Sequence, residues 1–180
     1  GLTEELIAEF KIGFAPNERS FLNQVFKNEN YDQEVLERSG LFVSHDDGRL
    51  SDRFYQRVMF PIKNPQGRTI GFSGRWLAPK KGQEKDQPKY LNSPETELFN
   101  KRQVLFNLDK ARSEIRKSGE VLLFEGFMDV IAAWQAGIKN GIASMGTSLT
   151  NQQIQHIERL TKELVFCYDG DKAGFEATNR

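Results

Sequence analysis

The sequence predicts an α/β protein in two parts: a mixed α+β N-terminal part, then a parallel βαβαβ sheet that stops short of completion. Three observations predict it. Apolar residues in the first third recur at helical spacing. Two β-rich runs in the middle meet at a turn. From residue 121 onward, short apolar runs alternate with amphipathic helical stretches, the pattern of a parallel sheet whose strands are joined by helices.

Each element has a local reason. Thr3 can cap a helix that carries Leu6, Ile7 and Phe10 on one face. "PNERSFLNQVF" places Phe21, Leu22, Val25 and Phe26 at helical spacing, which predicts a core-facing helix. "YDQEVLERSG" offers Asp32 as a cap and Gly40 as a stop. "RVMFPIK" and "TIGFSGRWL" read as strands joined at "NPQG". Residues 79–89 read as a polar loop. In "YLNSPETELF", Ser93 can cap and Pro94 suits a first helical position, so a helix is expected there. Another helix covers 107–117 and ends at Gly119. Then follow the strand "VLLFE", a helix closed by Gly137, the strand "GIASMG", a helix capped by Thr150, and the strand "ELVFCYD". "DKAGFEATNR" opens a further helix, so the segment reads as part of a longer protein.

Composition narrows the class. With 38% hydrophobic and 28% charged residues, the 180-residue chain has ordinary globular proportions. No run approaches the ~18 apolar residues of a membrane span, and the start has no signal-peptide pattern. The single cysteine, Cys167, excludes an internal disulfide and a multi-cysteine zinc site. A formal net charge of zero conceals zones. Residues 1–48 hold 4 Lys/Arg against 10 Asp/Glu, residues 49–112 hold 14 against 6, and residues 113–180 hold 7 against 9. A basic middle followed by acid-tipped strands suits a polyanion beside metal-binding carboxylates, although a solvated charged surface has the same signature.

The acids sit where chemistry collects in a parallel sheet, at the carboxyl ends of strands. Glu125 ends one strand, Asp169 ends another, and Asp171 follows in "DGD". If those strands are neighbours, three carboxylates converge, and their repulsion calls for a cation. Oxygen ligands without His or Cys suit Mg²⁺ or Mn²⁺. Asp129, one helical turn past Glu125, can join directly or through water. Gly126 and Gly170 leave room for sharp turns and a close ligand. The competing reading of "DGD" is an exposed turn. An EF-hand is excluded, because Ala173 and Arg180 fall where ligands belong. Trp76 and Tyr90, within the basic stretch, are candidates for base stacking, whereas Phe54, Tyr55 and Phe72 read as core.

The stretches "LLFEGFMDVIAAWQAG", "ASMGTSLT" and "VFCYDGDKAG" resemble the toprim domain of primases and topoisomerases. "RVMFPIKNPQGRTIGFSGRWL" and "PKYLNSPETELFNKRQVLFNL" resemble the RNA polymerase domain of the bacterial DnaG-type primases. The resemblance covers nearly the whole chain in consistent order. It implies an N-terminal basic subdomain over 1–118 and a Rossmann-like toprim subdomain over 119–180, incomplete at its C-terminus. It implies Glu125, Asp169 and Asp171 as catalytic, metal-binding acids, with Asp129 in support. It implies Arg53, Arg57, Arg75, Lys89, Tyr90, Asn92 and Lys101 as nucleotide- or DNA-binding residues. The implied activity is synthesis of short RNA primers on a single-stranded DNA template from ribonucleoside triphosphates, with Mg²⁺ or Mn²⁺ and no zinc in this part. Replicative helicase and single-strand-binding protein would be met only through regions absent here, in the cytoplasm at the replication fork and away from membranes. A topoisomerase or nuclease with a toprim domain, or a non-catalytic binding module, is the alternative.

Overall fold

The computed structural model describes residues 1–77, 87–146 and 149–170. They form two compact units. One comprises residues 1–61 and 70–99, the other residues 62–69 and 100–180.

The first unit opens with helix α1 (Glu4–Phe10), whose Thr3 hydroxyl accepts from the Leu6 amide at 3.3 Å. Strand β1 (Gly13–Ala15), helix α2 (Phe21–Asn28) and helix α3 (Gln33–Arg38) follow. A two-stranded antiparallel ribbon pairs β2 (Phe42–Ser44) with β3 (Leu50–Asp52). The main sheet has the order β1-β4-β5-β6, with β4 at Arg57–Lys63, β5 at Thr69–Trp76 and β6 at Tyr90–Asn92. The β4–β5 turn lies at "NPQG" as expected: the Gly67 amide donates to Asn64 O at 2.9 Å, and Gly67 takes φ +80°.

Two expectations fail in this unit. Helix α2 forms, but Phe21 and Val25 are exposed and the buried residue is Asn23. The reason is Asp52 on β3. Its carboxylate accepts the Leu22 and Asn23 amides at 2.6 and 3.0 Å, satisfying the free N–H groups of the helix start and pulling that turn inward. The helix expected after Ser93 does not form. Residues 90–92 pair with β5 instead, the Ser93 hydroxyl accepts from the Phe72 amide at 2.9 Å, and Phe99 is fully buried against Gly71. The serine's cap-forming oxygen serves the neighbouring strand.

The second unit matches the expected alternation. Helix α4 (Leu108–Ser118) ends at Gly119 with φ +78°. Strand β7 (Glu120–Phe124), helix α5 (Phe127–Gln135), strand β8 (Gly141–Ala143), helix α6 (Asn151–Glu158) and strand β9 (Glu163–Cys167) follow. The three strands are parallel in the order β8-β7-β9. Leu108, Ala111, Ile115, Val121, Leu123, Ile142 and Ile157 form its core. The 62–69 turn is tied to α4 by the Lys63–Asp109 ion pair at 3.8 Å and by the Arg112 guanidinium donating to Pro65 O at 2.9 Å. Among the described residues no helix is long and apolar enough to cross a membrane.

Candidate functional site

The parallel sheet sets the acids. β7 lies beside β9, so the condition for convergence is met, and the register pairs Phe124 with Cys167. Glu125 is therefore level with Tyr168, and Asp169 is one residue further along the same edge. Both carboxylates are exposed. Burial first, and then the charge of Glu125, push the Tyr168 hydroxyl above its ordinary pKa. Asp129 has a different task in this geometry. Its Oδ2 accepts from the Gly126 amide at 3.2 Å, the reciprocal arm of a capping box at the start of α5. Asp171 lies outside the described residues, as do Thr147, Ser148 and residues 78–86, so that most of the polar loop expected over 79–89 falls there too. Among the described residues no group of three metal-ligating side chains forms. The two exposed carboxylates at adjacent strand ends nevertheless fit a hard divalent ion, since both offer oxygen and neither is taken by a structural bond among the described residues.

Lys101 belongs to this unit. A Cβ built on Gly146, just past β8, would lie 4.0 Å from its ammonium. Its backbone is fastened to the N-terminal cap of α6. Gln153, fully buried, donates to Val104 O at 2.8 Å and to Lys101 O at 3.5 Å, and the Thr150 hydroxyl donates to Arg102 O at 2.6 Å. Cys167 closes β9 half-buried, and burial pushes its thiol pKa up.

The basic candidates of the first unit lie on or beside its strands: Arg53 just after β3, Arg57 on β4, Arg75 on β5 and Lys89 just before β6. Register sets Arg75 opposite Tyr90 and Ser73 opposite Asn92. Arg75 and Lys89 are exposed, and the Lys89 ammonium stands 5.8 Å from the Tyr90 ring centroid. The other two arginines turn to the backbone. Arg53 donates to Asn92 O from two nitrogens, at 3.2 and 3.4 Å. Arg57 is fully buried and donates to Gly74 O and Pro88 O, each at 3.0 Å. Burial lowers both guanidinium pKa values from their ordinary level. Sequence reasoning missed Arg19, whose guanidinium lies 4.2 Å from the Tyr55 ring centroid and donates to its hydroxyl at 2.6 Å. Tyr55 in turn meets Trp76 edge-on at 5.7 Å. Residues 19, 55 and 76 come together only through folding, so no local spacing announces them.

Comparison with known proteins gives consistent matches. The family "DNA primase catalytic core, N-terminal domain" matches residues 1–112, and a Toprim-like family matches residues 122–180. A DNA primase of Enterococcus faecalis is 66% identical over 180 residues, covering 100% of this chain and 29% of that protein. The chain thus spans under a third of this relative. A crystal structure of a DNA primase domain from Pseudomonas aeruginosa superposes with a TM-score of 0.88 at 42% identity, over 99% of this chain and 54% of the other. The structure of a DnaG primase catalytic domain bound to single-stranded DNA gives a TM-score of 0.86 at 43% identity, again over 99% and 54%.

Proposed function

The chain belongs to the DNA primase catalytic-core family, and on that premise we propose that it is the part of a primase that joins ribonucleotides on a single-stranded DNA template. The reaction is nucleotidyl transfer: a primer 3′-hydroxyl attacks the α-phosphate of a ribonucleoside triphosphate, and pyrophosphate leaves. We assign residues 1–118 to template and nucleotide binding and residues 119–180 to the acids.

Toprim and primase proteins generally use divalent metal ions, and Mg²⁺ or Mn²⁺ is the ion proposed here. Glu125, Asp169 and Asp171 would hold it, and when bound it supplies positive charge to the phosphates and a more acidic hydroxyl. Asp129 supports the set by fixing the turn at Gly126. Arg75, Lys89 and Lys101 bind phosphates, with Tyr90 presented beside Lys89 and Asn92 at the same strand. Arg53 and Arg57 contribute to the same binding function. Single-stranded template, ribonucleoside triphosphates and the growing RNA are the partners, in the cytoplasm at the replication fork. Helicase and single-strand-binding protein would be met through other parts of the full-length protein.

The observation that carries this reading is the β7–β9 register, which brings Glu125 and Asp169 to one sheet edge with both carboxylates in solvent. Because phosphate contacts are ionic, template binding weakens as salt rises. The direct test is Asp169→Ala in the full-length protein. Loss of an ion ligand lowers primer synthesis by about 100-fold or more, given that even supporting residues of metal sites cost ~10–100-fold. Wild-type synthesis by that variant rejects the assignment.

A further inference from the structure

Arg57 is a fully buried arginine with an incomplete set of partners. One nitrogen, Nη1, bridges Gly74 O on β5 and Pro88 O, two residues before β6. Its Nε and Nη2 are buried with no hydrogen-bond partner among the described residues. The side chain lies against Gly74, where a built Cβ would come within 2.8 Å of its Cδ, and its guanidinium carbon stands 5.3 Å from the Trp76 ring centroid.

Neither ordinary role fits these facts. A phosphate cannot reach a side chain without exposed surface unless both carbonyl bonds break and the packing opens. Stability alone does not account for the arginine either. A buried charge with unbonded nitrogens carries a desolvation penalty that an apolar side chain of similar length avoids. What the guanidinium does, and a hydrocarbon cannot, is join the carbonyl of Gly74 to that of Pro88. The next residues are Lys89, whose carbonyl accepts from the Trp76 amide at 2.8 Å, and Tyr90, paired with Arg75.

We infer that Arg57 is a positioning residue: by tying Pro88 to β5 it fixes where Lys89 and Tyr90 enter the edge strand, and so acts on nucleic-acid phosphate through Lys89 and not by its own contact. The inference rests on the reading of Lys89 as a phosphate-binding residue.

The experiment compares Arg57→Met, Lys89→Ala and the double variant in the full-length protein. It measures melting temperature and the affinity for a labelled oligo-dT strand across a salt series. Arg57→Met should melt at or above the wild-type temperature, yet bind oligo-dT as weakly as Lys89→Ala. The double variant should be no weaker than Lys89→Ala alone, because both changes remove one contact. All three should share a salt slope about one unit shallower than wild type. Gly74→Ala, which presses on the Arg57 side chain, should show the same loss of affinity. Wild-type affinity in Arg57→Met overturns the inference. So does additivity with Lys89→Ala, which would mark a separate phosphate contact, or a lowered melting temperature with affinity intact in the folded protein. If Lys89→Ala itself binds like wild type, the reading of Lys89 fails, and that result is distinct from a failure confined to Arg57→Met.

Discussion

Charged side chains at two places in the molecule are used in opposite ways. At the carboxyl edge of the parallel sheet, Glu125 and Asp169 stand in solvent. In the four-stranded unit, Asp52 and Arg57 are buried and Arg53 is partly so, and all three bond to main-chain groups. The difference teaches that charge type does not decide role. An exposed carboxylate at a strand end is available to a ligand, whereas a buried arginine on carbonyls has become part of the backbone's hydrogen-bond network.

The largest expected effect breaks the comparison at its acidic side. Glu125→Gln keeps shape and removes charge. Primer synthesis by the full-length protein should fall by about 100-fold or more, while unfolding free energy should move by no more than about 0.5 kcal/mol, as for other exposed positions. A variant that loses stability in step with activity would place Glu125 among the structural charges.

Next comes Gly74→Ala, on the inward side. The added methyl meets Arg57 at 2.8 Å, Phe54 at 3.0 Å and Met59 at 3.2 Å. Overpacking of this kind costs about 1–3 kcal/mol, read from chemical denaturation. An unchanged midpoint would mean that the buried guanidinium moves freely.

Legibility divided along the same line. The parallel sheet could be read because each strand, cap and stop is local: Thr150 with Gln153, Gly119 and Gly137 all signal within one turn of the helix they bound. The placement of Glu125 and Asp169 at strand ends was readable too, and it made them candidates by the rule that strand ends collect function. The first unit hid its logic in long-range bonds. Asp52 caps a helix about 30 residues away, Ser93 serves Phe72 across 21 residues, and Arg57 reaches Pro88 across 31. A cap-like Ser93-Pro94 therefore pointed to a helix that the sheet overrides, and strands β1, β2, β3 and β6, each of three residues, were too short for periodicity. Ser93→Ala tests that override. It leaves the Phe72 amide without its side-chain acceptor and should cost about 1–3 kcal/mol. A loss of a few tenths would show that Ser93 has no such task.

The smallest effect concerns Asp52, the buried acid among the described residues. Burial raises its pKa above 3.8, while the two accepted amides pull in the other direction and only partly offset it. The folded state therefore binds the proton more tightly than the unfolded chain does. Asp52 contributes stability fully at pH below the unfolded value, and the contribution is lost as pH rises through the folded value. Asn keeps one of the two acceptor oxygens and does not titrate. Asp52→Asn should therefore start below wild type near pH 3, where one amide has lost its acceptor, and then gain on wild type as pH rises from below 3.8 through the raised pKa, to a plateau at neutrality. Denaturation series at several pH values read this directly. If instead wild type gains on the variant over that window, the carboxylate's bonds to Leu22 and Asn23 outweigh its burial, and Asp52 belongs with the charges that the fold prefers ionised.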